Sequence, residues 1–191
     1  MQKHLVLAGL FALLPLSAAD AAVYGGLDLV ANSIDFKSTA PSLFAESLLG
    51  PTIHIGDHFS RFAVELGYGT VRHTFQQTDL RINRLTGDGL AYVPVGGFLN
   101  IVLTAGLSQA NFGASDYTHQ SYLKNGIIKQ ARVPATLLHG DQINWRGGAG
   151  LSFSFAGGYE FHVIGRYEPL TMSGLANSAL SLNTGFNIDL N

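Results

Sequence analysis

The chain has 191 residues, enough for one domain of ordinary size, and a formal net charge of -2, which marks the chain as a whole for neither nucleic acid nor an acidic partner. Charged residues make up 13% of it, about half the usual share, against 47% apolar, so no densely charged surface can surround it. There are no cysteines, which excludes a disulfide framework, thiolate metal sites and a cysteine nucleophile, and there are 23 glycines, a content that thins helices and favours turns and close backbone approach.

Residues 1–21 read as a secretory signal: Lys3 and His4 form a short polar start, Leu5 to Leu16 an apolar core, and Ala19-Asp20-Ala21 a cleavage site, with the cut after Ala21. That apolar run falls short of the ~20 residues that span a bilayer. Residues 22–191 then read as one barrel domain. Val23 to Asn32 alternates at once, with Val23, Gly25, Leu27, Leu29 and Ala31 on one face and Tyr24, Gly26, Asp28, Val30 and Asn32 on the other. Ser33 to Leu43 reads as a loop. Leu48 to Ile55 is a second strand, in which Pro51 predicts a bulge or a weak pairing, and Gly56-Asp57-His58 a turn. Phe62 to Thr70 alternates clearly and is followed by a polar loop from Val71 to Asp79.

The fourth strand lies within Leu80 to Pro94. Its parity is poor: Leu80, Ile82, Leu90 and Tyr92 share a face with Arg84 and Asp88, which predicts a bulge near Thr86-Gly87. A turn at Val95-Gly96-Gly97 precedes a fifth strand, with Leu99, Ile101, Leu103, Ala105 and Leu107 opposite Asn100, Thr104, Gly106 and Ser108. Gly113 to Gln142 reads as the longest loop. Ile143 to Phe155 and Tyr159 to Glu168 are strands six and seven, joined by Ala156-Gly157-Gly158. A loop over Thr171 to Asn177 leads to the last strand, Ala179 to Asn191, with Leu180, Leu182, Thr184, Phe186, Ile188 and Leu190 on one face.

Eight strands with short and long connections in alternation predict an all-β fold, an eight-stranded antiparallel up-and-down barrel that spans a membrane. The same alternation would suit a soluble barrel with its apolar parity inside. Four features favour the reverse. They are the export signal, the low charge fraction, the small residues on the polar parity (Gly67, Gly69, Gly106, Gly148, Gly150, Gly185) and the aromatics near strand ends (Phe62, Tyr68, Trp145, Phe155, Tyr159, Tyr167). Trp145 to Phe155 covers roughly 33 Å at ~3.3 Å per residue, or roughly 25 Å when tilted by about 40°, the height of an outer-membrane apolar band.

Phe62 to Tyr68, Gly148 to Ser152 and Val163 to Tyr167 are the stretches in which the chain most resembles the eight-stranded outer-membrane β-barrel family of small OmpA-like and opacity-type surface proteins. The similarity runs over nearly all of residues 22–191. Asn183, Gly185, Ile188 and Leu190 fit the family's C-terminal assembly signal, with Asn191 standing where the family usually has an aromatic. The resemblance implies the bacterial outer membrane, both termini in the periplasm, lipid and lipopolysaccharide as surroundings, and the barrel assembly machinery as a partner.

An eight-stranded barrel encloses little more than its own side chains. The interior parity holds Asp28, Glu65, Arg146, Glu160, Arg166, Glu168 and Asp189, which predicts a salt-bridged plug and, as the sharper reading, a narrow gated conduit. Ser152, Ser154, Glu160 and His162 could in principle activate a hydroxyl, but their parity puts them inside, away from lipid, so no enzyme activity is expected. His54, His58, His73, His119 and His139 read as scattered loop histidines; no metal or cofactor is expected. Tyr117, His119, Tyr122, Lys124, Lys129 and Arg132 make the long loop basic and aromatic, suited to an anionic extracellular ligand. The expectation is a non-enzymatic surface barrel serving adhesion or envelope integrity. The alternatives are a passive pore and a lipid-modifying enzyme.

Overall fold

The computed structural model describes residues 22–36, 47–75, 78–124, 127–170 and 176–190; the expected signal sequence lies outside them, as does Asn191. The chain forms eight strands: β1 (Ala22–Phe36), β2 (Ser47–Phe59), β3 (Phe62–Phe75), β4 (Thr78–Gly96), β5 (Leu99–Lys124), β6 (Ile127–Phe155), β7 (Tyr159–Pro169) and β8 (Ala176–Asp189). Each pairs antiparallel with its sequence neighbours, and β1 pairs with β8 to close the barrel. Closure leaves the paired part of the sheet without an edge, which is what a backbone in hydrocarbon requires.

The alternation of side chains sorts two surfaces. Leu27, Leu49, Ile53, Leu103, Leu151, Leu182 and Phe186 project outward and are exposed. Asp28, Glu65, Arg146, Ser152 and Arg166 project inward and are buried. Apolar outside and polar inside is the arrangement of a barrel in lipid. Aromatic rows mark both ends of the apolar band. Phe98, Phe153, Phe161 and Phe186 form a chain with ring centroids 5.0–6.2 Å apart near the short turns, and Trp145 meets Tyr167 at 6.0 Å toward the other end.

The termini share one rim with the tight turns. Phe59 pairs with Phe62, so only Ser60 and Arg61 connect β2 to β3. Ser60 takes φ 59°, the positive value a two-residue hairpin demands at its first position. This turn lies beyond the expected Gly56-Asp57-His58, all three of which belong to β2. The β4–β5 turn is Gly97-Phe98, with Val95 and Gly96 of the expected turn belonging to β4, and Gly157 and Gly158 turn β6 into β7 with φ of 87° and 75°.

The other rim departs most from the sequence reading. The expected loop from Gly113 to Gln142 is a hairpin in which β5 and β6 stay paired, with Tyr117 opposite Pro134, His119 opposite Arg132, Tyr122 opposite Lys129 and Lys124 opposite Ile127. Among the described residues, β4 accompanies β5 only as far as Asp116 and β7 accompanies β6 only from Gly147, so the two strands continue together beyond the barrel. The expected polar loop from Val71 to Asp79 is likewise mostly strand, and β1 extends to Phe36. In the continuation of β5 and β6 polar and apolar residues do not alternate, so the cue that reveals a strand in a sequence is absent there.

Strand four also corrects the reading. Its register with β3 runs unbroken from Phe62–Ala91 to Phe75–Thr78, with no bulge near Thr86-Gly87. Ile82, Arg84, Thr86, Asp88, Leu90 and Tyr92 all face inward; the outward parity is Leu85, Gly87, Gly89, Ala91 and Val93. The lumen accepts apolar and charged groups alike, and the outward face here is merely small. Pro51 causes no bulge against β1, but the β2–β3 ladder stops at Thr52, the residue after it. Outward Leu103 offers a test of the apolar band. Leu103→Arg should cost about 2–4 kcal/mol if the side chain lies near a bilayer midplane. The check is urea unfolding in lipid vesicles, and a change below about 0.5 kcal/mol, normal for a water-facing site, would refute the lipid-facing assignment.

Candidate functional site

The lumen holds the described protein's concentration of chemistry. Its turn-side end is filled by an apolar cluster of Tyr24, Ala63, Leu90, Tyr92, Val102 and Ile164. The remainder is a connected set of charged and amide side chains.

One group centres on Arg146 from β6. Its Nε donates to Asp88 Oδ1 at 2.8 Å and its Nη2 to Asp88 Oδ2, a bidentate pair from strands separated by β5. Arg166 from β7 lies between two acids, with Nη2 3.7 Å from Asp88 Oδ2 and 3.9 Å from Glu65 Oε1. Arg84 donates from Nη1 to Asn32 Oδ1 at 3.0 Å and stands 3.4 Å from Glu168 Oε2. Glu168 Oε1 also accepts from Ser108 Oγ and from Asn144 Nδ2.

A second group centres on Asp28 from β1. His162 Nε2 lies 2.9 Å from Asp28 Oδ1, and Asn183 Nδ2 donates to Oδ2 at 3.3 Å. His54 Nδ1 is 3.7 Å from Asp28 Oδ1, and its Nε2 lies 2.5 Å from Asn187 Oδ1 and 3.8 Å from Glu65 Oε2. Tyr24 donates its hydroxyl to Glu65 Oε2 at 3.3 Å. Asn187 Nδ2 donates to Glu160 Oε1 at 3.1 Å, which ties the group to the rim. The two groups meet at a cavity of about 30 Å³ whose walls include Asp28, Asn32, Glu65, Arg84, Arg146 and Asn183. That is room for a water or two, with polar partners on several sides.

Six of the seven expected interior charges stand in this network: Asp28, Glu65, Arg146, Glu160, Arg166 and Glu168. Asp189 does not. It has the lumen parity but is exposed at the rim, where parity no longer means enclosure. Three members were missed. Asp88 and Arg84 sat on the strand whose facing was misread, and His54, read as a loop histidine, is 7% exposed. The unbroken even-numbered parity of β2, from Leu48 through His54, was the signal that could have found it. His162 turns Nε2 to Asp28, not to a serine, and Ser152 is fully buried, so neither presents a group to lipid.

Gly185 of the expected assembly signal has a local reason. A Cβ there would collide with the Asp28 carboxylate and the Leu27 carbonyl. Asn183 faces the lumen, while Ile188 and Leu190 project outward. Of the six expected loop residues only the backbone placement is described: Tyr117, His119, Tyr122 and Lys124 lie on β5, and Lys129 and Arg132 on β6.

No protein-family model and no curated protein sequence matches the chain. Solved structures do. The neisserial surface protein NspA aligns with a TM-score of 0.62 at 14% identity, over 89% of this chain and 97% of that one. The outer membrane protein OprG of Pseudomonas aeruginosa aligns with a TM-score of 0.54 at 12% identity, over 89% and 96%. Ail, the attachment invasion locus protein of Yersinia pestis, aligns with a TM-score of 0.53 at 10% identity, over 88% and 97%. At these identities the likeness is one of fold: the chain has the eight-stranded closed barrel of outer-membrane proteins.

Breaking a buried pair strands a charge, whereas replacing both partners does not. Arg146→Met should therefore destabilise the barrel by about 3–5 kcal/mol, and adding Asp88→Leu should recover part of the loss, since Arg166 then gives up Asp88 but keeps Glu65. Unfolding in urea measures both. Additive losses in the double variant would show that the pair is not a coupled unit.

Proposed function

We propose that the protein is a non-enzymatic surface barrel of the bacterial outer membrane, exported by cleavage after Ala21, that serves adhesion or envelope integrity. The observation that carries this reading is the pairing of an apolar, aromatic-bordered exterior with a packed, ion-paired lumen. The exterior matches lipid, and the described lumen is lined by side chains that pair with one another, which supports a plug over a conduit. A passive pore would require Arg146 to part from Asp88 and Arg166 to leave Glu65.

Assembly into the membrane would run through the barrel assembly machinery, with Asn183, Gly185, Ile188 and Leu190 as the recognition signal. Contact with the outside falls to the β5–β6 hairpin. Tyr117, His119, Tyr122, Lys124, Lys129 and Arg132 give it cations and aromatics, a chemistry suited to lipopolysaccharide phosphates or a sulfated polymer. Ail of Yersinia pestis has been solved in complex with the heparin analogue sucrose octasulfate. That complex supports an anionic ligand as the class to try first.

Two measurements test the reading. Fractionation should place the protein in the outer membrane, with heat-modifiable gel migration; recovery in the soluble periplasm would end the membrane reading. Heparin-agarose should retain the folded protein at low salt, and the triple variant Lys124→Ala, Lys129→Ala, Arg132→Ala should elute at lower salt by a shift readable on a gradient. Equal elution would remove the hairpin as the anionic site while leaving the membrane reading intact.

A further inference from the structure

The outward face of β3 changes character along its length. Phe62, Val64 and Leu66 are apolar, Tyr68 is aromatic, Thr70 is polar and Arg72 is a cation. β4 follows row by row, because the register is unbroken: Ala91, Gly89, Gly87, Leu85, Asn83 and Arg81 stand opposite these six in turn. The apolar band thus ends at the Tyr68–Leu85 row, and two rows beyond it two exposed arginines oppose each other directly. Like charges in that position destabilise a strand pair. Among the described residues neither arginine forms an ion pair that would relieve the repulsion. The next outward position on β4 is Asp79, opposite Thr74, which sets one acid against two cations. An anion lying between the two guanidiniums would supply what the fold does not.

The pair is also aimed. Thr70 Oγ1 donates to Asn83 Oδ1 at 3.1 Å, and Arg81 Nε donates to the same oxygen at 3.2 Å. Asn83 lies on the row nearer the apolar band, so this bond draws the Arg81 guanidinium back toward the edge of the band. Directly opposed residues have Cβ atoms about 4.5–5.5 Å apart, so Arg72 starts beside the same space. From Tyr68 to Arg72 is roughly 13 Å along the strand at ~3.3 Å per residue, or about 10 Å along the bilayer normal at a tilt of about 40°. The headgroup layer on one side of a bilayer is about 5–8 Å deep, and an arginine stem is long enough to reach back into it.

We infer that Arg72 and Arg81 form a clamp for the phosphate of a lipid headgroup in the leaflet on the hairpin side of the barrel. Each guanidinium is a planar fork that matches two oxygens of a phosphate, and one such group between them turns mutual repulsion into shared attraction. The outward parity selects a lipid over an anion free in solution, because the clamp continues the face that carries Leu66 and Tyr68. It is separate from the β5–β6 hairpin: Arg81 pairs with Gly113, before β5 leaves β4 behind at Asp116. The inference rests on the membrane reading of the exterior and does not depend on any ligand of the hairpin.

The test uses the whole refolded protein in neutral detergent micelles, with native mass spectrometry of its complex with bisphosphorylated lipid A. The double variant Arg72→Ala, Arg81→Ala should bind the lipid about tenfold or more weakly, the loss expected for charge-assisted contacts. Equal binding by the variant overturns the proposal. So does equal binding of the dephosphorylated lipid by the unaltered protein, and so does inorganic phosphate binding as tightly as the lipid. Urea unfolding gives a second readout. Lipid A should raise the midpoint of the unaltered protein and leave that of the double variant in place. Without lipid the variant should be no less stable than its parent, because a repulsion has been removed; a variant that unfolds at lower urea without lipid would mark the arginines as structural and overturn the clamp. Fractionation separates this inference from the reading it rests on. Outer-membrane location with unchanged lipid binding in the variant removes the clamp alone, whereas recovery in the soluble periplasm removes both.

Discussion

The pairing of β1 with β8 is the interaction on which the remaining structure depends. It aligns Tyr24 with Asp189 at one rim and Ile34 with Ala179 toward the other, and so joins the two ends of a sheet that is otherwise a linear series of hairpins. The same seam sets Asp28 opposite Gly185. Only a glycine leaves the carboxylate room to turn inward, where His162 and Asn183 meet it. Closing the barrel and pairing its central acid are therefore one structural event. A chain with the first seven strands formed and the last one absent would have two open edges and would lack the Asn183 and Asn187 contacts of the Asp28 group.

The two surfaces obey different rules. The outside has a single requirement, to be apolar, and it meets it with Leu, Ile, Val and Phe on most strands and with Gly and Ala on β4. The inside has a harder one. Most groups there are either apolar and packed, as around Val102 and Ile164, or polar and bonded, with exceptions such as Arg166 Nε and Nη1. Buried pairs of this kind rarely add much stability over an apolar core of the same shape. Their effect is to make each strand's position conditional on its partners: Arg146 on β6 is placed by Asp88 on β4, and His162 on β7 by Asp28 on β1.

How far the sequence revealed this follows from the same asymmetry. Where the outward side chains are large, as in Phe62 to Tyr68 or Leu180 to Leu190, alternation was plain and the facing was read correctly, because a one-residue slip would put charges outside. On β4 the outward residues between Leu85 and Val93 are Gly87, Gly89 and Ala91, while the inward ones include Leu90 and Tyr92, so the more hydrophobic parity there was the inner one and Asp88 and Arg84 were misplaced. The paired continuation of β5 and β6 past Asp116 was invisible for another reason: its residues do not alternate in polarity, and a ladder of backbone bonds leaves no other mark in the sequence. The individual ion pairs were out of reach altogether. They depend on strand tilt and stagger around the barrel, which no local pattern encodes.

The unequal rims bear on how such a chain could enter a bilayer. One end is closed by connections as short as Ser60-Arg61 and Gly97-Phe98, while the other carries β5 and β6 well past their outer neighbours. For that extension to reach the far side, a polar segment must pass through hydrocarbon, and the dearest part of such a passage is stripping water from unbonded N–H and C=O groups. A hairpin bonded to itself from Asp116 to Lys124 has exchanged only about half of those waters for its own partners, because the outer edge of each strand has no neighbour among the described residues. Those two outer edges, more than the paired seam between the strands, would set the cost of carrying this end of the barrel across hydrocarbon.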